Sequence, residues 1–383
     1  MERAIITVFA LVAGCVAAPD LGSGDFLCAQ EPKVCPEGRI CVGDRCVLPG
    51  GADASVGPDG APPSRFRRPL VASSDSSASD IPVLVILNPD RINYSESQPD
   101  GRDVFFLDST GTRLAHEIER WQPGGESLVW VRLPALQDGA TVYLHYGGDD
   151  VSENSAAVWQ DFDLVYHFDG DAADSSPRGY SGTLEGAASA GGRLGGGLEF
   201  DGVDDLVRTP VNADLFRGAA GASISCWINR SPTVGSAFVE IANSTGDSSR
   251  AFLTQISAGR LRFGVRPTDE QAVVTSNDAE PITDGQWQWI LGTADLSAKR
   301  LDLYVDGQLV DSVLDPTLPA TTVDQPSAFA ILGHDDINLN NPFDGLLDEI
   351  RISSRARNAD WAAVQYAAMT DSLFAFGAEE LVP

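Results

Sequence analysis

The chain has 383 residues and is 43% hydrophobic, which is too long for one small domain and too apolar for a disordered chain. Its formal charge is −29 and its pI about 4.2, a balance that repels nucleic acid and anionic lipid and argues against both as partners. Helical runs are scarce, and 38 Gly and 23 Pro punctuate short apolar runs, which points to an all-β protein of sandwich type.

At the N-terminus one early charge, Arg3, precedes an apolar run from Ala4 to Gly14. That run is too short to span a bilayer and reads as a signal-peptide core, so the chain is expected to be exported. A cut after Ala18 would leave Pro19 directly behind the cleavage site, an unfavourable arrangement. The stretch Leu11-Val12-Ala13-Gly14-Cys15 resembles the bacterial lipobox. The resemblance implies a lipoprotein signal peptide over residues 1–14, lipid modification of Cys15 and an anchor segment over 15–27. The membrane would then be engaged through acyl chains alone. Val16 after Cys15, where Asp would signal otherwise, is similar to the sorting pattern of outer-membrane lipoproteins.

Residues 28–46 form a Cys-rich module, "CAQEPKVCPEGRICVGDRC", with Cys28, Cys35, Cys41 and Cys46. Four close Cys in an exported chain are candidates for two disulfides, with three pairings open. A zinc site is the rival, against which stand the absence of a CxxC pair and of a nearby His. The segment also resembles the small Cys-rich modules that follow the lipobox in some bacterial surface lipoproteins. Cys226 alternates with Ile224 and Ile228 and is expected to be a buried core thiol. Residues 47–64, rich in Pro, Gly, Ala and Asp, read as a flexible linker.

From Arg65 the chain becomes short strands. Val83, Val85 and Leu87 alternate with Leu84 and Ile86 in a run apolar on both faces, as a sandwich core strand requires. "DSTGT" is a hairpin turn, and "ATVYLHYGG" closes the region. The ordered pieces "DIPVLVIL", "DVFFLDSTGTRLAHEIERW", "SLVWVRLP" and "TVYLHYGG" resemble an uncharacterised bacterial β-domain that often precedes concanavalin-like domains in surface proteins. It covers residues 65–148 and implies no catalytic residues. Glu117 and Glu119 are two apart on one strand face, an arrangement open to acid–base work on a glycosidic bond or to an ordinary strand beside Arg120 and Trp121.

Residues 159–380 form a longer β region of strands five to nine residues long, the pattern of a two-sheet jelly roll. Asp306-Gly307 in "YVDGQLV" predicts a type I′ hairpin. The pieces "YHFDG", "GGGLEFDGVDDLV", "SISCWIN", "WQWILGTADLSAKRLDLYVDGQLV" and "FDGLLDEIRISSRARNADW", in this order, resemble the laminin-G-like, concanavalin A-like lectin/glucanase jelly roll. That family implies two curved antiparallel sheets, members that bind carbohydrate, adhere or hydrolyse glycosides, and structural Ca²⁺ in many of them. The overall expectation is two β-sandwich domains after a small disulfide-stapled segment.

Within "FDGLLDEIRI", Asp348 is expected where the last strand pairs with the first, near Asp169 of "HFDG". The two are candidate Ca²⁺ ligands, and the alternative is that they cap turns by accepting backbone hydrogen bonds. The loop from Gly333 to Phe343 offers Asp335, Asp336, Asn338 and Asn340 for sugar hydroxyls or Ca²⁺, against a plain solvated loop. Trp287 and Trp289 share a strand face; Trp289 is the candidate for stacking on a sugar ring and Trp287 is read as core. "RNADWAAVQYA" predicts a short helix capped near Asn358 or Asp360, with Trp361 packed on the sandwich.

Several tests speak against an enzyme. The alternating E-x-D-x-E strand of retaining glucanases is missing, and the adjacent acids of "GVDDLV" and "LLDEI" should point to opposite faces. The G-x-S-x-G and H-E-x-x-H patterns are also missing. The expected function is a non-catalytic, lipid-anchored cell-surface protein that binds carbohydrate or another extracellular ligand. A structural or adhesive module with protein partners is the second reading and a divergent glycosidase the third. Structural calcium is the one cofactor expected.

Overall fold

A computed structural model describes residues 40–42, 45–47, 64–210, 218–231, 236–243, 249–255, 260–265, 272–275, 282–321, 328–334 and 341–382. The chain divides into residues 1–63 and 64–383. In the first part, β1 (Ile40–Val42) and β2 (Arg45–Val47) form a hairpin whose register sets Cys41 opposite Cys46. The lipobox with Cys15, together with Cys28, Cys35 and residues 48–63 of the linker, lies outside the described residues. No helix among the described residues is long and apolar enough to cross a membrane.

The second part begins with β3 (Phe66–Ala72), β4 (Ala78–Leu87), β5 (Phe105–Asp108), β6 (Arg113–Leu114), β7 (His116–Arg120), β8 (Ser127–Leu136) and β9 (Thr141–Tyr146). A one-turn helix α1 (Ser155–Val158) leads to the jelly-roll strands β10 (Leu164–Tyr166), β11 (Thr183–Glu185), β12 (Ala188–Gly191), β13 (Gly196–Asp201), β14 (Leu206–Arg208) and β15 (Gly221–Arg230). These continue as β16 (Ser236–Asn243), β17 (Ser249–Gln255), β18 (Leu261–Val265), β19 (Ala272–Thr275), β20 (Gln288–Asp295), β21 (Arg300–Val305), β22 (Gln308–Leu314), β23 (Ala328–Leu332) and β24 (Asp344–Ser353). The chain closes with α2 (Ala359–Met369), β25 (Phe374–Phe376) and β26 (Glu380–Leu381).

The jelly roll pairs a sheet ordered β12-β13-β24-β15-β20-β21-β22, with β10 also on β24, against a sheet ordered β11-β14-β23-β16-β17-β18-β19. Every pairing in it is antiparallel, so alternation decides which side chains enter the core. Ile224, Cys226 and Ile228 of β15 point between the two sheets and meet Phe238, Phe263 and Ile352. Burial pushes the Cys226 thiol pKa well above its usual value, which leaves it an inert core group. Asp306 and Gly307 both have positive φ, 50° and 76°, so the β21–β22 hairpin turns as predicted.

The N-terminal sandwich pairs a sheet ordered β25-β3-β9-β5-β6, with β26 also on β3, against a small sheet ordered β4-β8-β7. The tail assigned from sequence to the jelly roll therefore belongs to the other sandwich: β25 and β26 pair with β3, more than 300 residues earlier in the chain. An unpaired β3 edge is a hydrogen-bonding template, and the returning tail satisfies it.

The β4-β8-β7 sheet is apolar on both faces because it is covered on both. Val83, Val85, Val129 and Val131 face the first sheet, while Leu84, Leu128 and Trp130 face the jelly roll, and all seven are buried. The jelly-roll sheet on the other side presents Trp227 and Trp289, directly paired across β15 and β20. Helix α2 fills the space between, with Asn358 accepting from the Trp361 backbone N–H at 2.9 Å as its N-cap. The result is four stacked β layers with α2 between the middle two, and one hydrophobic cluster runs from Val131 through Trp130 and Met369 to Trp289.

Candidate functional site

Two β-bulges confront each other across the seam between the sandwiches. In β7, Ile118 pairs with Val129 and Arg120 with Leu128, so Glu119 is an extra residue. In β24, Arg351 pairs with Ser225 but Asp348 with Trp227, so this strand also carries one extra residue; Glu349 takes φ 52° there. A bulge breaks alternation and re-aims side chains. This overturns the expectation that Asp348 and Glu349 point to opposite faces: Leu347 and Ile350 enter the jelly-roll core while Asp348, Glu349 and Arg351 all turn toward the seam.

The side chains that meet there form a buried polar network. His167 follows β10 and lies 2.7 Å from Glu349 Oε1 and 3.3 Å from Glu119 Oε2 through Nδ1, and 3.5 Å from Glu117 Oε2 through Nε2. Trp130 Nε1 donates to Glu119 Oε2 at 2.5 Å, Ser175 Oγ donates to Glu117 Oε1 at 2.7 Å, and Trp159 Nε1 donates to Glu117 Oε2. Arg351 donates to Glu349 Oε2 and, at 2.8 Å, to Gln365 Oε1, while Gln365 donates onward to the Pro82 carbonyl of β4. The Arg351 guanidinium lies 4.1 Å from the Trp130 ring centroid and 4.8 Å from that of Trp159, where stacking replaces lost hydration.

The electrostatics follow from crowding. Burial and the neighbouring Glu349 charge push Glu119 well above the usual carboxylate range. Asp348 is raised by the same two causes. Burial would raise Glu349 too, but His167 and Arg351 outweigh it and hold it low. For His167, burial favours the neutral ring, yet Glu349 and Glu119 reverse that and raise its pKa. No hydrogen-bond donor among the described residues reaches Glu119 Oε1 or Asp348 Oδ1, and both atoms are buried.

Asp169 and Asp348, the candidate Ca²⁺ pair, grip one turn from its two ends. Asp348 Oδ2 accepts from the backbone N–H groups of Arg193 and Leu194, both at 2.8 Å, and Asp169 Oδ1 accepts from Gly196 N at 2.6 Å. This is the turn-capping role. The ligand atoms that converge within 4.8 Å of one another belong instead to Glu119, His167 and Glu349, and separately to the largely exposed Asp201, Asp204 and Asp205. Asp335, Asp336, Asn338 and Asn340 lie outside the described residues. Trp289 is fully buried, because α2 lays Trp361 over it with ring centroids 6.4 Å apart. It offers no free ring face to a sugar, and the half-buried member of the pair is Trp287.

A cleft of about 650 Å³ opens at another point of the seam. Its walls come from the start of β4, the end of β8, the β20–β21 hairpin and the 355–358 segment before α2. They carry Asp80, Asp295, Asp302, Arg300, Arg355 and Asn358. Arg355 pairs with Asp161 at 2.8 Å, and Arg300 with Asp302 at 2.7 Å. Burial would raise Asp295, but hydrogen bonds from Ser297 and Ala298 hold it below its usual range. Arg357, under the floor beside Trp361, is pushed down by burial to about 10. No motif marks this cleft in the sequence, because its lining is scattered from Ser77 to Trp361.

The family comparisons agree with this architecture. Residues 200–363 match the concanavalin A-like lectin/glucanases superfamily, and residues 100–177 match a domain of unknown function, DUF2341. The chain thus carries a concanavalin A-like domain preceded by a DUF2341 domain. The second match runs past β9 and takes in Trp159 and His167, so the seam network falls largely within it. A search of the curated proteins found no match. Similar solved structures include domain 4 of an extracellular arabinanase from Geobacillus stearothermophilus in complex with arabinotriose, at 19% identity and TM-score 0.42 over 54% of this chain and 98% of that one. The binding domain of Paraclostridial Mosquitocidal Protein 1 superposes at 18% identity and TM-score 0.44, over 54% of this chain and about half, 52%, of that one. The Ruminococcus gnavus sialidase CBM40, bound to α2,3-sialyllactose, does so at 15% identity and TM-score 0.35, over 44% and 96%.

Proposed function

We propose that the chain is a non-catalytic, exported ligand-binding protein whose ligand is a carbohydrate held in the seam cleft. The observation that carries this reading is the cleft's lining. Carboxylates, guanidinium groups and the amides of Gln137 and Asn358 converge on about 650 Å³ whose wall is more polar than apolar, which suits a ligand bearing many hydroxyl groups. The non-catalytic reading rests on the missing E-x-D-x-E, G-x-S-x-G and H-E-x-x-H patterns, and access closes the seam cluster. The one dense carboxylate cluster with a His among the described residues is sealed, with side chains of Glu117, Glu119, His167 and Glu349 at most 10% exposed. Glycoside hydrolysis needs substrate and water between two carboxyl groups. Export and lipid anchoring through Cys15 belong to the same proposal and rest on the leader sequence.

The test is a glycan array probed with the purified chain. Arg355→Ala and Asp80→Asn alter side chains that are 58% and 61% exposed, and their buried partners Asp161 and Arg132 keep each other at 2.6 Å, so each should lower the Tm only slightly. Each should weaken binding to the retained glycans about tenfold, the value of one lost charged hydrogen bond. Glycan binding that is absent, or equal in the wild type and both variants, would sink the reading.

A further inference from the structure

We propose that Glu119, His167 and Glu349 bind a divalent first-row transition ion, Zn²⁺ or Mn²⁺, at the seam between the two sandwiches.

The geometry is the first support. One ligand atom from each residue lies within 4.8 Å of the others, and His167 Nδ1 is 2.7 Å from Glu349 Oε1 and 3.3 Å from Glu119 Oε2, so a turn of the Glu119 carboxylate would bring its other oxygen to the same place. Atoms about 2.0–2.1 Å from a tetrahedral ion sit roughly 3.3 Å apart, so small side-chain shifts would admit one. An imidazole nitrogen with two carboxylates suits Zn²⁺ or Mn²⁺ better than an all-oxygen ion such as Ca²⁺.

The second support is an unused donor atom. Glu119 Oε1 is buried, its side chain is 1% exposed, and no donor among the described residues reaches it. Its partner oxygen, Oε2, is held by Trp130. Glu349 is held in the same way, Oε2 by Arg351, which leaves Oε1 toward His167. Glu117 lies behind the ring, its Oε2 3.5 Å from Nε2 and not hydrogen-bonded to it, and is fixed by Ser175 and Trp159. A carboxylate behind a ligating imidazole and donors behind ligating carboxylates are the outer shell that metal sites use.

The third support is charge. Glu117, Glu119, Asp348 and Glu349 are all buried against two basic groups, His167 and Arg351. An excess of buried negative charge is costly unless a proton or a cation offsets it. The ion would also tie Glu119 of one sandwich to His167 and Glu349 of the other, so it would act as a staple and not as a catalyst.

The experiment strips the full purified chain with chelator and returns Zn²⁺, Mn²⁺ or Ca²⁺ separately. Metal content after desalting and the Tm are then read. The expected result is about one Zn²⁺ or Mn²⁺ per chain with a Tm rise of several degrees, and at least tenfold weaker binding in Glu119→Gln. X-ray absorption on the Zn²⁺-loaded wild type should show one imidazole nitrogen in the first shell, a readout that does not depend on whether the variant folds. Three results overturn the proposal: no ion retained, Ca²⁺ alone retained, or a retained ion with no imidazole ligand. In the first case His167 is an imidazolium held by carboxylates and nothing more.

Discussion

Arg351 does three tasks that a Lys cannot combine. It bonds Glu349, bonds Gln365 at 2.8 Å and stacks between the Trp130 and Trp159 rings. Arg351→Lys keeps the charge but loses the fork and the flat face. It should cost up to ~3–5 kcal/mol, the range for breaking a buried ion pair, and show as a clear drop in Tm. His116 is a different case. It points away from the seam toward Phe106, and burial, with help from Arg113, lowers its pKa from 6.5 to about 4. The folded state therefore keeps this ring neutral while the unfolded state protonates it. Stability is lost as pH falls from about 6.5 to about 4 and is then flat with respect to this group, a loss of order ~3 kcal/mol. His116→Phe should remove that part of the acid sensitivity. The check is urea unfolding at pH 7 and pH 4.5, where the variant's loss between the two should be smaller than the wild type's.

Strands show where local pattern is a good guide and where it is not. The Asp306-Gly307 turn, the inward alternation of Ile224, Cys226 and Ile228, and a cap at Asn358 or Asp360, which the structure places at Asn358, are legible in the sequence, because each depends on neighbours a few residues away. The bulges at Glu119 and Glu349 are not legible, because a period-two reading assumes an unbroken ladder. That is why the Asp348-Glu349 pair reads as split between faces when it is not. Trp289 fails for a related reason: strand pattern shows that its face is apolar but not that α2 covers it. The returning tail is another long-range feature. Removing everything after Leu373 deletes β25 and β26, the Arg67–Glu380 pair at 2.7 Å and the Phe376 ring under Arg91. The bare β3 edge should then pair with other copies. The truncated chain should melt lower than the full chain and show concentration-dependent self-association in size-exclusion chromatography, and a monomer at all concentrations would refute this.

The seam makes the two sandwiches interdependent. An isolated jelly roll would uncover Trp159, whose ring lies 5.2 Å from that of Trp130, and the α2 face that packs on β4, and would leave Glu349 without the partners on β7 and β8 that now surround its network. Each Trp buries ~200 Å², so at ~25 cal/mol/Å² one exposed ring forfeits roughly 5 kcal/mol, comparable to the whole net stability of many domains. The N-terminal sandwich would lose as much around Trp130, and without residues 374–381 it would also lack an edge. Family boundaries read as two domains, yet the physics predicts one folding unit over residues 64–383. Calorimetry on the chain should therefore show a single transition for this region, with calorimetric and van't Hoff enthalpies equal. Fragments 64–158 and 159–383 expressed apart should be unfolded or aggregated, and should recover structure only when co-expressed. Two resolved transitions, or a soluble and cooperatively melting 159–383 fragment, would show that the seam is an ordinary interdomain contact.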